Sequence, residues 1–212
     1  MIKEKLSAIL LSIPSDVTLV AVSKTKPIDR IEEAFESGQL DFGENKVQEM
    51  VDKAAVLSKN IRWHMIGHLQ RNKVKYIAPF VSLIHSVDSQ RLLNEIDKQG
   101  KKNDRVIDCL LQIRIAQEET KFGLTYEDCD ALLQQFDCTN VRIRGLMGMA
   151  SFTANQDQIE EEFKLLQQYY DQHQSQQQWD ILSMGMSGDY PLALRCGSNM
   201  IRVGSSIFGA RN

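Results

Sequence analysis

The sequence contains few cysteines, and none of them are paired in a motif. The four cysteines are widely spaced, and no two form a CxxC pair: Cys109, Cys129, Cys138 and Cys196. A zinc cluster or a dense disulfide framework needs closely spaced cysteines, so the sequence favours neither. We therefore interpret these residues as small buried side chains and expect the protein to work in the reducing cytoplasm.

Long apolar runs and an excess of positive charge are also missing. No stretch approaches the ~20 apolar residues that span a bilayer. The N-terminal segment has lysines before a short apolar run, but Glu4 interrupts it and no small-residue cleavage site follows, so we expect an amphipathic helix at about 1–12. A formal net charge of −3 with a pI near 5.8 argues against a general nucleic-acid binder. We expect neither membrane nor nucleic acid as a partner.

No linker rich in Gly, Pro or Ser divides the chain, so we expect one domain over 1–212. Short apolar or β-branched runs alternate with longer helical patterns along its whole length. The predicted strands lie at 17–23, 39–42, 61–67, 81–87, 105–115, 141–149, 180–186 and 200–209. A Gln-rich stretch at 167–178 is interpreted as a polar helix end and a loop.

Eight such strand–helix steps in about 200 residues predict a TIM-type (β/α)8 barrel. The alternative is an open doubly wound sheet, but no GxGxxG turn follows the first strand. In a barrel the functional loops lie at the carboxyl ends of the strands. Glycines and polar residues do gather there, including Ser187 and Gly188 after strand seven and Gly204 and Ser205 after strand eight.

The residues of the loops after strands seven and eight predict a phosphate site. Loops after strands seven and eight of such barrels frequently bind phosphate through backbone N–H groups. We expect Ser187 and Gly188 to open a helix, and Gly204 to expose the backbone beside Ser205. Glycine and serine are also common in ordinary turns, so the prediction depends on both loops occurring at the expected strands.

Lys24 is the candidate nucleophile. It ends the apolar run TLVAVS, and a partly desolvated lysine favours the neutral amine that attacks an aldehyde. A lone lysine at a strand end is more often a surface residue that extends to solvent. Lys26 is the rival, but it precedes Pro27 and a helix start, so we expect it to point more towards solvent.

The sequence resembles a known family along nearly its whole length, from about residue 17 to residue 211. The matching segments are VAVSKTKP, FGENKVQE, WHMIGHLQRNK, HSVDS, QEETKFGL, RGLMGMASF, LSMGMSGDYPLAL and GSNMIRVGSSIFGAR. They are similar to those of the pyridoxal phosphate homeostasis proteins, which are alanine-racemase-like proteins that bind pyridoxal 5′-phosphate (PLP).

The resemblance implies a role for individual residues. It implies that Lys24 forms the Schiff base with PLP and that Arg202 approaches the pyridine nitrogen. It implies a phosphate cradle formed by Ser187, Gly204 and Ser205. It also implies that Asn45 lines the pocket, with Met149 and His68 as further walls. The sequence departs from the family at Lys46, where an aromatic is usual, and at Gly148, where a threonine is usual.

The resemblance further implies a role in vitamin B6 and amino-acid balance, with PLP-dependent enzymes as candidate partners. We expect no efficient catalysis, because an acidic residue would keep the pyridine nitrogen protonated, whereas Arg202 cannot accept a hydrogen bond from that proton, which leaves the ring a weak electron sink. Two-base racemisation also needs a second proton carrier. In alanine racemases a further domain supplies it, and here the last predicted strand is followed by only three residues, which end with Arg211 and Asn212. That absence also leads us to expect a monomer.

Two other functions stay open: a weak PLP-dependent amino-acid racemase, and a regulatory module for which PLP is a sensed ligand. A metal site is not expected. His64 and His68 lie on a strand and its loop, where four residues span about 13 Å, too far to share a zinc ion.

Overall fold

The strands of the chain form a closed parallel barrel. A computed structural model describes residues 2–117 and 122–209. Its strands are β1 (Thr18–Val22), β2 (Asp41–Glu44), β3 (Arg62–Met65), β4 (Leu83–Val87), β5 (Ile107–Ile113), β6 (Val141–Gly148), β7 (Ile181–Ser183) and β8 (Met200–Val203). They follow one another in chain order, and β8 pairs in parallel with β1. The prediction of an eight-stranded β/α barrel is confirmed.

Helices precede, connect and follow the strands. They are α1 (Ile2–Ser12), α2 (Ile28–Glu36), α3 (Val47–Val56), α4 (Val74–Ile77), α5 (Gln90–Lys102), α6 (Tyr126–Gln134), α7 (Gln156–Gln177), α8 (Tyr190–Arg195) and α9 (Ser205–Phe208), with a 3-10 turn at Arg71–Lys73 before α4. The helix expected at about 1–12 is α1, which buries Ile2, Leu6 and Ile9. None of the helices in the described ranges is both long and apolar enough to cross a membrane.

One glycine allows the sheet to close around its longest strands. The register between β5 and β6 shifts at Cys109 and Leu110. On β6, Gly145 adopts φ 146°, and a Cβ there would lie 1.8 Å from the carbonyl oxygen of Ile181 on β7. No other residue type fits this close approach of two backbones.

The apolar core has two parts of unequal size. The larger part packs the helices against the outer face of the barrel and includes Phe42, Met65 and Phe163. The inner part is a small cluster of Val20, Leu83, Leu110, Met147 and Met200, with Met149 and Ile181 packed against it. Several buried side chains of the barrel strands are instead polar, namely His64, His85, Ser183 and Arg202. A TIM barrel interior is ordinarily filled by branched apolar residues, so this polar content is unusual.

The cysteines are free thiols. Cys109, Cys129 and Cys196 are buried, as predicted, whereas Cys138 is half-buried. Burial raises the pKa of Cys129 to about 11, which keeps its thiol protonated and poorly reactive at neutral pH.

Local boundaries differ from the sequence prediction in two places. The Gln-rich stretch was expected to be a helix end and a loop, but α7 continues to Gln177, because glutamine is a good helix former and Tyr169 and Tyr170 anchor this part of the helix in the core. The strand expected at 180–186 ends at Ser183. Gly185 adopts φ 90°, which no regular strand contains, so the chain turns there.

Candidate functional site

A cavity of about 600 Å³ lies at the carboxyl end of the barrel. Its lining comes from the loops that follow several strands, as the position of functional sites in this fold predicts. All seven residues selected from the sequence lie on its wall: Lys24, Asn45, Met149, Ser187, Arg202, Gly204 and Ser205. The structure therefore gathers into one cavity residues that are spread over most of the chain.

The backbone around Lys24 is held on both sides. On one side the hydroxyl of Ser23 donates to Oε1 of Glu44 at 2.6 Å. On the other side the N–H of Thr25 donates to Oε1 of Glu49 at 2.5 Å. Thr25 has φ 62°, a left-handed conformation that a threonine adopts only when its surroundings compensate the strain. These bonds fix the direction in which the chain leaves β1, and with it the half-buried Lys24.

A buried lysine joins the two carboxylates. Nζ of Lys53, on α3, lies 2.8 Å from Glu44 and 2.6 Å from Glu49. It also donates to the carbonyl oxygen of Ser23 at 2.8 Å. Burial raises the pKa of Glu44, while the hydrogen bonds from Lys53 and Ser23 oppose that rise. Sequence reasoning missed Lys53; the Glu49–Lys53 spacing of four residues on a helix was the available signal.

The loops after β7 and β8 are tied together at the cavity wall. The N–H of Gly204 donates to Oγ of Ser187 at 3.1 Å. A Cβ on Gly204 would lie 3.2 Å from both the carbonyl oxygen and Cβ of Val22, so a side chain would crowd β1. The first N–H groups of α9, which begins at Ser205, have no acceptor within the helix. Such groups suit an anion.

One detail of the phosphate prediction is wrong. Ser187 and Gly188 do not open a helix, because α8 begins at Tyr190 and its N-cap is Asp189. The carboxylate of Asp189 instead accepts the N–H of Met186 at 2.6 Å. This bond closes a tight turn, and the turn places Ser187 and Gly188 at the cavity.

Arg202 forms part of the cavity wall although the side chain is almost completely buried. Nη1 donates to the carbonyl oxygen and to Oγ of Ser183, at 3.0 and 2.6 Å, and Nη2 donates to the carbonyl oxygen of Gly148 at 3.0 Å. Burial lowers the pKa of Arg202 to about 10. Its guanidinium therefore remains charged at neutral pH, and it can only donate hydrogen bonds to a ligand.

Two aromatic residues at the cavity were not selected from the sequence. The ring of Phe122 stacks on His68 with centroids 4.1 Å apart, and the side chain of Phe152 is fully exposed at the cavity wall. His68 lies on the wall as predicted, and its Nδ1 is 3.4 Å from Asp88. Phe122 belongs to the segment QEETKFGL, of which residues 118–121 lie outside the described part of the chain.

Lys26 lies closer to the cavity than expected. It was expected to point towards solvent, but it lines the cavity, and its Nζ donates to the carbonyl oxygen of Gly209 at 3.2 Å. The reason is tertiary, because the chain after α9 passes over the loop that follows β1. Lys26 therefore remains the natural comparison for Lys24.

The two departures from the family pattern have different surroundings. Lys46 is the N-cap residue of α3 and makes no capping hydrogen bond from its side chain. A Cβ on Gly148 would lie 2.5 Å from Cδ2 of Leu166 and 2.9 Å from Cδ1 of Ile115. A threonine at this position would therefore require both of these side chains to move, so glycine matches the packing of this chain.

Comparisons with known proteins agree with this arrangement. A family model for the N-terminal domain of alanine racemase matches residues 2–212. The pyridoxal phosphate homeostasis protein of Haemophilus influenzae is 38% identical over 203 residues, covering 92% of this chain and 86% of that protein. The chain belongs to the pyridoxal phosphate homeostasis protein family. The resemblance seen in the sequence is thereby confirmed.

Solved structures extend the family relationship. PipY of Synechococcus elongatus, solved with PLP bound, is 35% identical with a TM-score of 0.92, covering 99% of this chain and 100% of PipY. Alanine racemase of Clostridium difficile has a TM-score of 0.79 at 12% identity, covering 99% of this chain and 56% of the racemase. At that identity the racemase shares the fold, and its activity carries no argument for this chain.

Proposed function

We propose that this protein binds PLP as a Schiff base on Lys24 and acts in the homeostasis of intracellular PLP. The observation that carries the proposal is the shared cavity, in which Lys24, Arg202 and the loops after β7 and β8 meet. The family relationship and the PLP bound to PipY support it.

The residues of the cavity match the chemistry of PLP. Among the described lining residues there is no aspartate or glutamate, while the basic residues Lys24, Lys26 and Arg202 lie on the wall. A phosphate dianion is favoured in such surroundings. The N–H groups at the start of α9 and the hydroxyl of Ser187 would hold the phosphate. Arg202 would donate to the pyridine nitrogen.

PLP supplies an aldehyde for amines and an electron sink for carbanions. Arg202 weakens the electron sink, because its guanidinium does not give up a proton near neutral pH and accepts none. Arg202 would therefore leave the pyridine nitrogen of bound PLP unprotonated. We accordingly propose a carrier or regulator of PLP without efficient turnover.

A weak amino-acid racemase is the alternative. It would require a second proton carrier besides Lys24. Lys26 and His68 are the titratable side chains on the described wall that remain for this task, apart from Arg202. Both already make other contacts, Lys26 to Gly209 and His68 to Asp88 and Phe122. These contacts favour the non-catalytic function.

Three further properties belong to the same proposal. We infer that the protein works in the cytoplasm, that it is monomeric, and that PLP-dependent enzymes receive or compete for its cofactor. Size-exclusion chromatography with light scattering tests the monomer. To test whether PLP is passed to such enzymes, the PLP-loaded protein is mixed with a PLP-free transaminase, and the transaminase activity that returns is measured.

The proposal as a whole is tested by the visible spectrum of the purified protein with PLP. Reduction with borohydride should fix the cofactor covalently, and peptide mapping should place the reduced pyridoxyl group on Lys24. A protein sample reduced without PLP is the control. Labelling of Lys26 in place of Lys24, or no labelled peptide, would contradict the assignment.

The absence of efficient turnover needs a separate assay. The PLP-loaded protein is incubated with single L-amino acids, and formation of the D-isomers is followed by chiral chromatography. We expect no more D-isomer than with free PLP. Robust racemisation that disappears in the Lys24→Ala variant would establish the alternative.

A further inference from the structure

A chain of hydrogen-bonded polar side chains runs through the interior of the barrel, from Arg202 to the amino-terminal end. We call it the interior polar chain; its members are Arg202, Ser183, His85, His64 and Asp41. Oγ of Ser183 accepts from Arg202 at 2.6 Å and lies 3.4 Å from Nδ1 of His85. Nε2 of His85 lies 2.9 Å from Nδ1 of His64, whose Nε2 lies 2.9 Å from Oδ1 of Asp41.

The two ends of the interior polar chain carry opposite charges. Burial raises the pKa of Asp41, but hydrogen bonds from His64 and Arg62 outweigh this effect and leave the pKa below its ordinary value. Asp41 is therefore an acceptor at neutral pH. Arg202, at the other end, can only donate. The side chains between these ends must therefore donate a hydrogen bond to Asp41 and accept one from Arg202.

With both imidazoles neutral, a single arrangement of protons satisfies every contact. Burial lowers the pKa of His85 well below its ordinary value, and the charge of Arg202 lowers it further, so His85 is neutral. If His64 donates from Nε2 to Asp41, its bare Nδ1 accepts from Nε2 of His85. The bare Nδ1 of His85 then accepts from the hydroxyl of Ser183.

This arrangement has a consequence for the cavity. A hydroxyl whose hydrogen points towards His85 presents its lone pairs to Arg202, and these lone pairs are what a guanidinium requires. The carbonyl oxygen of Gly148 holds the other terminal nitrogen at 3.0 Å. The guanidinium is thereby fixed at two nitrogens, and such aligned hydrogen bonds reinforce one another in a medium of low dielectric.

We propose that Ser183 and His85 are positioning residues that orient the guanidinium of Arg202 towards the ligand cavity, and that Asp41 sets the polarity of the interior polar chain. The proposal rests on the proposed function in one respect, that Arg202 faces the ring of PLP. It extends that function by assigning roles to side chains that do not line the ligand cavity.

The decisive variant is Ser183→Ala, with Ser198→Ala as its matched control. Ser198 is also a buried hydroxyl, but its bonds go to backbone groups, including the N–H and carbonyl oxygen of Met184. The first readout is the ¹⁵N NMR signal of the Arg202 side chain in protein without PLP, assigned by its loss in Arg202→Lys. We expect Ser183→Ala to shift or broaden this signal and Ser198→Ala to leave it in place.

The second readout is PLP affinity. Loss of one neutral acceptor for the guanidinium should weaken PLP binding by about three- to tenfold in Ser183→Ala. The absorption of the lysine-bound cofactor should remain, because Lys24 is untouched. If Ser183→Ala does not fold, Ser183→Cys gives the same two readouts, because a thiol fills a similar volume and is a poor acceptor. An unchanged Arg202 signal in a folded Ser183 variant would overturn the proposal.

The role of Asp41, at the end of the interior polar chain opposite Arg202, is tested by Asp41→Asn, with Arg62→Gln as control. Arg62→Gln removes the partner that pairs with Asp41 at the barrel end but leaves the interior polar chain intact. We expect ¹⁵N spectra of the native protein to show His64 and His85 protonated at Nε2 alone. Asp41→Asn should mix these tautomers and shift the Arg202 signal, whereas Arg62→Gln should do neither. A doubly protonated His64, or equal effects of both variants, would overturn the assigned polarity.

Failure of this proposal can be distinguished from failure of the proposed function. The NMR readouts use protein without PLP and report on Arg202 directly. If the native protein does not bind PLP while Ser183→Ala still shifts the Arg202 signal, the proposed function is wrong and the orienting chain stands. If PLP binds to Lys24 and the Arg202 signal does not move in Ser183→Ala, the proposed function stands and the orienting chain is wrong.

Discussion

The two ends of the barrel are both concave and both contain charged side chains, but they differ in whether basic residues face carboxylates. At the amino-terminal end a depression of about 470 Å³ contains arginines paired with carboxylates. Arg62 pairs with Asp41, and Arg144 pairs with Asp108 and Asp180. The cavity at the carboxyl end has no carboxylate among its described lining residues, although Lys24, Lys26 and Arg202 lie there.

This difference shows how a binding site can be recognised from electrostatics. Where cations and carboxylates neutralise one another, an added anion gains little. Where cations share a cavity with backbone N–H groups, an anionic ligand completes the arrangement. The two ends therefore differ in whether their charged side chains are paired, and not mainly in the size of the cavity. Four predictions test the contrast, from the largest expected effect to the smallest.

Loss of the Lys24 amine should abolish covalent binding at the carboxyl end. Lys24→Ala should eliminate the visible absorption of the lysine-bound cofactor, because it removes the amine that we propose forms the Schiff base. Lys26→Ala is the matched control, since Lys26 lines the same cavity and its Nζ is bonded to Gly209. A Lys24→Ala protein as yellow as the native protein would refute the assignment.

Loss of the buried lysine behind the site should reduce stability strongly. Lys53→Met leaves Glu44 as a buried charge without its cation, which should cost about 3–5 kcal/mol of unfolding free energy. Lys164→Met removes the cation of an exposed Glu160–Lys164 pair with the same spacing and should leave the unfolding free energy nearly unchanged. Urea unfolding followed by circular dichroism measures both. Equal losses would show that the Lys53 cluster has no special role.

A methyl group at the loop after β8 should weaken PLP binding. Gly204→Ala places a Cβ 3.2 Å from the backbone and side chain of Val22, and the resulting displacement should lower affinity by about tenfold. Gly188→Ala is the control in the partner loop, because no atom lies within 4 Å of its added Cβ. Titration with PLP compares the two. Similar affinities would mean that the position of Gly204 is not critical.

Acid should weaken the paired charges at the amino-terminal end. Hydrogen bonds to arginine and histidine lower the pKa of Asp41, and hydrogen bonds to Arg144 lower that of Asp180. A lowered folded-state pKa adds stability that is present above the unfolded value near 3.8 and is lost as pH falls through the folded value. Unfolding free energy should therefore fall below about pH 4, by less than about 1 kcal/mol for Asp180, which is half exposed.

The variant Asp180→Asn isolates one part of this effect. It should be less stable than the native protein at neutral pH and should show a flatter loss of stability in acid. Denaturant unfolding at pH 3 to 7 measures both. A curve parallel to that of the native protein would show that the Arg144 pair contributes nothing.

The barrel and the cavity-lining positions followed from local features of the sequence. Every parallel strand of a barrel ends at the same face, so a residue directly after a strand run, such as Lys24 or Gly204, has to lie near the others. Alternating strand and helix patterns were enough to identify these positions. Errors arose where the boundary itself mattered, as for Ser187 and Gly188, because a side chain from Asp189 decides where that turn closes.

The sequence by itself determined the alternation of strands and helices, and with it the face on which Lys24, Arg202 and the glycine loops meet. Only the tertiary structure decided which buried charges pair and which polar side chains share the barrel interior. Lys53 meets Ser23, and His85 meets Ser183, across 30 and 98 residues of sequence. Such contacts depend on strand register and on the direction of each side chain, which no local pattern of residue types records.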